Sequence, residues 1–191
     1  MNKVDLRNAF LAERSNLSPS QFQSRNLLIS QRLIDYIDWE SHAVIHLYLP
    51  IVQNNEVDTF PLIQYLRKTR SNIRMVVPKV EPVNKLGHYF LSRSTKLVPN
   101  VWGIPEPVDG MAADIEDIDL VIVPMVIFDK QGHRIGYGKG YYDRFLASCS
   151  ATTRKVGLCY FDPVEAIAIE PTDISMDAVV TPDGVWEFGI C

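Results

Sequence analysis

The sequence predicts an α/β domain, a mostly parallel sheet flanked by helices in an open three-layer arrangement. Three observations carry this. Four short apolar runs, AVIHLYLP (43–50), IRMVVP (73–78), DLVIVPMVIFD (119–129) and KVGLCYF (155–161), have the continuous hydrophobicity of strands buried on both faces. Segments of helical spacing alternate with these runs. No internal repeat, low-complexity tract or Gly/Ser linker divides the 191 residues, so residues 1–191 are read as one domain.

In chain order, residues 3–16 read as a helix, with Val4, Leu6, Phe10 and Leu11 on or near one face. Ser18 then supplies an N-cap and Pro19 a first helical position for a helix running to about Ile37. The strand at 43–50 leads through a polar loop, Gln53 to Asp58, into a helical pattern over 59–70. The strand at 73–78 is expected to end at Pro78. HYFLS (88–92) reads as a strand and Val98 to Met111 as loop, with Pro105 to Glu116 as a flexible excursion. DLVIVPMVIFD is the strongest strand signal, followed by a glycine-rich loop and a helix, YYDRFLASC. AVVT and VWEF give short closing strands.

Composition narrows the function. Hydrophobic residues are 47% and charged residues 22%, which are globular values, and the net charge of −4 argues against general nucleic-acid or membrane binding. Three cysteines, Cys149, Cys159 and Cys191, lack metal-ligand spacing and form no even framework, so a reducing compartment is expected. The N-terminus has no apolar signal region and no run is long enough to span a bilayer, so a cytoplasmic location is expected. Charge is uneven: residues 1–32 hold five basic and two acidic residues, while residues 160–191 hold seven acidic residues and no Lys or Arg. These are either two complementary solvated surfaces or a basic N-terminal helix facing an anion.

The informative stretch runs from Asp129 to Arg144. Gly132, Gly136, Gly138 and Gly140 fall within nine residues between a strand and a helix. That is where ligands bind in open α/β sheets. Glycines allow positive φ and let successive N–H groups line an anion nest, while Arg134 and Lys139 add full charges. The loop is read as a polyphosphate cradle; the plainer reading is a tight turn with solvated charges. It is not a P-loop, since Gly140 follows Lys139 where Ser or Thr is required. It is not a dinucleotide fingerprint either, since Tyr141 stands where the third glycine belongs.

IGYGKGYYDRFL, preceded by VPMVIFDKQGHR, resembles the signature of the 5-formyltetrahydrofolate cyclo-ligase family, also called methenyltetrahydrofolate synthetase. The resemblance extends to Lys3-x-x-x-Arg7, LYLPIVQNNEVDTFPLI (47–63), VWGIPEP (101–107) and MDAVVTPDGVW. Met125 stands where relatives often have glycine, and His133 where others carry a small or aromatic residue.

The resemblance implies a sheet like that of phosphosugar isomerases and CoA transferases. It implies an enzyme that takes ATP as co-substrate and Mg²⁺ as cofactor, converting 5-formyltetrahydrofolate to 5,10-methenyltetrahydrofolate, ADP and phosphate. The formyl oxygen would be phosphorylated and N10 would close the ring. Carried over residue by residue, Lys3, Arg7 and Arg134, Ile135, Gly136, Tyr137, Gly138, Lys139, Gly140, Tyr141, Tyr142 and Asp143 match the ATP site. Lys139, Arg134 and Tyr142 are the catalytic candidates, and Asp143 and Asp177 the metal carboxylates. Glu56, Trp102 and Tyr142 are the substrate contacts, Glu56 accepting from the pterin's donor edge and Trp102 walling the ring. Bland readings stand beside these: a frayed basic terminus for Lys3 and Arg7, core aromatics for the tyrosines, an exposed loop residue for Glu56 and a loop anchor for Trp102. None of His42, His46, His88 and His133 is assigned a catalytic role. A monomer without nucleic-acid or membrane partners is expected. Two other readings remain open, a non-catalytic folate- or nucleotide-binding relative and an ATP-independent enzyme of the isomerase or transferase type.

Overall fold

The computed structural model describes residues 1–82 and 85–189; Cys191 lies outside them. Helix α1 (Lys3–Ser15) starts where the Asn2 side chain accepts from the Asp5 N–H. Helix α2 (Pro19–Tyr36) opens on the predicted cap: Ser18 accepts from the Gln21 amide and Gln21 accepts from the Ser18 amide. Strand β1 (Val44–Leu47) is wholly buried and leads through the Glu56 loop to α3 (Phe60–Thr69). There follow β2 (Arg74–Glu81), β3 (Lys85–Phe90), β4 (Leu97–Pro99), β5 (Pro105–Pro107), β6 (Leu120–Pro124), β7 (Ile127–Phe128) and β8 (Arg134–Ile135). Helix α4 (Tyr141–Ala147), β9 (Arg154–Leu158), β10 (Ala178–Val180) and β11 (Val185–Glu187) complete the described chain.

Seven strands form the central sheet in the order β11-β10-β9-β6-β1-β2-β3. The five inner strands are parallel, and β11 and β3 are antiparallel edges. Ile45 of β1 lies between Met75 of β2 and Leu120 of β6, which puts the most apolar runs in the middle. Helix α2 packs on α3 and β10, and α4 packs on β3. Within the described residues no helix is long and apolar enough to cross a membrane. Cys149 and Cys159 are free thiols, both pushed up by burial, to about 11 and about 12.

Several expectations change. Val4, expected on the apolar face of α1, is exposed, while Leu6 of that face is buried as expected. Strand β2 does not stop at Pro78. The Leu91 N–H donates to the Met75 carbonyl, so odd-numbered residues of β2 face β3 and even-numbered amides face the β1 side. Pairing with β1 has ended at Val76, so the missing N–H of Pro78 costs no ladder bond. The next amide on that side, Val80, donates to Glu106 at 2.9 Å.

Residues 98–111 are not all loop, since β4 and β5 pair as a small antiparallel ladder. The start of the supposed flexible excursion is therefore anchored, with Glu106 buried. The run Leu120–Phe128 is two strands. β6 stays in the main sheet to Pro124, opposite Leu158, and β7 pairs separately with β8. Between them Met125 is buried against Gly157, where a Cβ would stand 2.0 Å from its methyl carbon. The side chain fills room that only a glycine on β9 leaves.

Candidate active site

The glycine-rich loop leaves β8, at the end of a hairpin that Asp129 shapes. That carboxylate is fully buried and accepts from the amides of Gln131, His133 and Ile167. His133 Nδ1 lies 3.0 Å from its second oxygen, so His133 belongs to the hairpin's frame. Gly138 and Gly140 take φ of +82° and +66°, and Gly140 caps α4. That helix has only seven residues, so loop amides and side-chain charges carry most of the field here.

Basic side chains of the first helix grip the loop. Arg7 Nε donates to the Gly136 carbonyl at 2.7 Å, and its guanidinium lies against Gly138. The guanidinium of Arg14, a residue 3% exposed, donates to the Tyr137 hydroxyl. Tyr137 in turn hydrogen-bonds Glu56, whose Oε2 accepts from the Ile51 amide at 2.6 Å. Glu56 is 6% exposed, so it is not an ordinary loop glutamate. Burial raises its carboxyl pKa, against the opposing pull of Ile51 N–H, Tyr137 and Arg14.

Tyr142 stands at the inner wall. Its hydroxyl is buried without a hydrogen-bond partner among the described residues, and it feels both Glu56 and Arg134. Burial raises its pKa, with Glu56 adding to the effect, so it is a neutral donor. A buried hydroxyl left unpaired is costly and is expected where a ligand atom completes the bond. Its ring lies edge-on to His46 and Phe145, so the core-aromatic reading holds for the ring alone.

Arg134 turns inward rather than toward the open side of the loop. It pairs with Asp143 at 2.8 Å and donates to the Ile174 carbonyl. Burial lowers its pKa, while Asp143 and then Asp173 act to raise it. Ile135 is a core side chain, so only its backbone faces the loop; its carbonyl accepts from the Val126 amide. Lys139 is exposed at the rim and forms no ion pair among the described residues. Tyr141 stacks against the Arg144 guanidinium.

Lys3 is neither frayed nor free. It pairs with Asp173 and Glu170 of the segment between β9 and β10. Burial works against its charge, but the two carboxylates outweigh burial and raise its pKa. The reading of complementary charge holds for Lys3, which meets the acidic C-terminal segment, while Arg7 and Arg14 bond the Gly136 carbonyl and the Tyr137 hydroxyl of the loop.

Asp177 does not join Asp143. It precedes β10, at the amino end of the parallel strands, and its carboxylate takes the Lys155 amide at 2.6 Å and the Lys155 ammonium at 3.1 Å. The carboxylate brought toward Asp143 is Asp173: both act on Arg134, and the neighbouring Ile174 amide donates to Asp143. Sequence reading missed Asp173. Its signal is the spacing Asp173-x-x-x-Asp177, which offers two carboxylates without saying which turns inward.

Trp102 is 58% exposed at the tip between β4 and β5. Asn100 shapes that tip by accepting from the amides of Trp102 and Ile104 while donating to Glu106. Gly103, at φ +77°, packs on the Gln53 side chain, three residues before Glu56. Trp102 is therefore neither buried nor remote: it stands on the rim formed by the Glu56 loop.

The chain matches the model of the 5-formyltetrahydrofolate cyclo-ligase family over residues 1–182. It is 32% identical over 185 residues to the 5-formyltetrahydrofolate cyclo-ligase of Escherichia coli K12, covering 92% of this chain and 97% of that one. Among solved structures it resembles the 5,10-methenyltetrahydrofolate synthetase of Aquifex aeolicus, with a TM-score of 0.85, 34% identity and coverage of 100% and 95%. The synthetase of Mycoplasma pneumoniae matches with a TM-score of 0.76, 28% identity and coverage of 95% and 99%. The chain belongs to the 5-formyltetrahydrofolate cyclo-ligase family, a family of ligases.

Proposed function

We propose that this protein converts 5-formyltetrahydrofolate to 5,10-methenyltetrahydrofolate, with ATP cleaved to ADP and phosphate. One observation supports it above the others: Tyr137 of the glycine loop is hydrogen-bonded to Glu56 while Arg7 and Arg14 clamp the same loop. A phosphate cradle and a carboxylate suited to a pterin's N–H edge thus form one site.

The chemistry follows from the substrate. A formyl amide is a weak electrophile and its oxygen a poor leaving group. Transfer of the γ-phosphoryl to that oxygen forms an O–P bond and releases ADP. N10 then attacks the iminium carbon and loses its proton, and the C–O bond breaks as phosphate departs. Such a reaction needs positioning and charge compensation. The amides of Gly136–Gly140, with Arg7 and Lys3, bind the triphosphate, which competes with Asp173 and Glu170 for Lys3. Lys139 swings from the rim to the transferred group. The orphaned Tyr142 hydroxyl donates to the formyl oxygen, and Glu56 and Trp102 orient the pterin. Arg134 acts by holding Asp143 in place.

The residues fit a divalent cation: Asp143, one of whose oxygens is held by Arg134, and Asp173 would bind it beside the phosphates. Bound Mg²⁺ supplies charge neutralisation on the phosphate oxygens. Asp177, committed to Lys155, supports strand pairing instead.

The test is incubation of the purified protein with 5-formyltetrahydrofolate, with and without MgATP, while near-ultraviolet absorbance of the methenyl product is followed. An ATP-dependent rise is expected. Binding without that rise marks a non-catalytic relative, and turnover without ATP marks an isomerase- or transferase-type enzyme. Lys139→Ala is expected to impair ATP use far more than folate binding; equal loss of both in a folded variant removes its phosphate role.

A further inference from the structure

The far end of the molecule carries a feature that the reaction does not use. Residues 59–105 contain eight basic residues and one acidic residue, Glu81, in a chain whose net charge is −4. Where α3 ends and the loop after β3 begins, Arg67, Arg70 and Arg93 converge on a cavity of about 170 Å³, with Ser71 and Ser92 at its wall. That is the volume of about five or six waters. Arg67 and Arg93 also line a more open groove with Lys68 and Gln64.

The cavity is remote from the glycine loop. Thr59, at the start of α3, bonds the Tyr48 carbonyl just beyond the carboxyl end of β1. The cavity lies ten residues later, about 15 Å along the helix, beside Ile73 and Met75 at the amino end of β2.

Cations in the last turn of α3 complement its dipole, which accounts for Arg67 and Lys68. It does not account for Arg93, which belongs to another segment. Nor does it account for the Nε atom of Arg67, shielded from solvent without a hydrogen-bond acceptor among the described residues. The guanidinium groups are partly fixed: Arg67 donates to the Ser92 carbonyl at 2.8 Å and Arg93 to the Arg67 carbonyl at 3.3 Å. Among the described residues the one ion pair here is with Glu40, 74% exposed, 3.5 Å from Arg70 Nε. Among the described residues, three guanidinium groups line one cavity, each donates to a backbone carbonyl, and their one carboxylate partner is the exposed Glu40 on Arg70. Planar guanidinium forks match a phosphate or a carboxylate.

We propose that this cleft is an oxyanion-binding site, separate from the ATP loop, that takes a small phosphate- or carboxylate-bearing ligand on Arg67, Arg70 and Arg93. The site stands independently of the folate reading, because none of these residues belongs to the proposed reaction.

The test uses the full chain labelled with nitrogen-15. Inorganic phosphate is titrated in one arm and glutarate in another, against sodium chloride at matched ionic strength. Saturable shifts of the Arg67 and Arg70 Nε–Hε signals and of the Ser92–Thr95 amides are expected in at least one arm, half-complete at about 1 mM or below. The arm that saturates names the ligand chemistry. Arg93→Gln, an exposed position, should weaken that binding about tenfold, as loss of a charge-assisted hydrogen bond does. Lys139→Ala should leave it unchanged. Shifts no larger than those with sodium chloride, shifts insensitive to Arg93→Gln, or shifts abolished by Lys139→Ala would overturn the assignment.

Discussion

Arg7 lies flat against Gly138: a Cβ at Gly138 would fall 3.0 Å from the Arg7 Cζ and 3.1 Å from one terminal nitrogen. The first helix thus reaches across 131 positions of sequence to touch a loop residue that is left-handed and has no room for a side chain.

Gly138→Ala should therefore fail twice. The left-handed conformation costs an alanine about 1–2 kcal/mol, and the methyl group displaces Arg7. The expected result is a lower melting temperature and a raised KM for ATP, with the KM for the folate little changed. Arg7→Ala should reproduce the ATP effect without the conformational penalty. Steady-state kinetics with each substrate varied in turn, beside thermal melts, reads both.

Glu56 carries a prediction about pH. Its carboxyl titrates above the ordinary glutamate range because it is buried. The ionised form is the one that accepts from a donor edge, so folate affinity should begin to fall at milder acidity than an ordinary carboxylate gives. Glu56→Gln should bind the folate about tenfold to a hundredfold more weakly, flatten that acid limb and leave ATP binding nearly unchanged. Equilibrium titrations between pH 5 and 8 decide it; a loss of ATP affinity instead would remove Glu56 from the pterin.

Asp173 and Asp177 should separate cleanly. Asp173→Asn is expected to raise several-fold the Mg²⁺ concentration needed for half-maximal rate. Asp177→Asn should leave the metal requirement alone and lower stability, because it loosens the Lys155 pairing between β9 and β10. Magnesium titrations of rate and denaturant curves on the two variants supply the comparison.

His46 and His88 predict a loss of stability in acid. Both are buried: His46 is held neutral well below the usual range, and burial, then Lys85, pushes His88 down to about 4. Between the unfolded value of 6.5 and about 4 the unfolded chain binds the His88 proton and the folded chain does not. Stability therefore falls as pH drops through that window. From pH 7 to pH 5 this one group should cost about 2 kcal/mol. His88→Phe keeps the ring packed on Phe145 and should remove that part of the pH dependence. Equal slopes for the variant and the parent in urea unfolding would rule His88 out as the cause.

How much of this was legible in sequence differs from element to element. Ser18-Pro19 announced α2 because a cap and an N1 proline act within four residues, and the structure has that capping box. The parallel core was legible because strands buried on both faces are apolar at nearly every position, His46 of β1 being an exception. Pro78 and Pro124 misled in opposite directions. One lies inside a strand, past the point where pairing with β1 has ended, and the other is the last residue of one.

The site divides along the same line. Local chemistry alone determined the glycine loop and the family signature, since a backbone that turns left-handed favours glycine; three of the loop's four glycines take positive φ. Tertiary structure decided that Glu56 is buried, that Arg134 faces Asp143 rather than the open loop, and that Asp173 rather than Asp177 comes near. Those outcomes depend on which distant segments meet. A charge in a one-dimensional string does not reveal whether its partner is water, a carboxylate 170 positions away or a ligand phosphate.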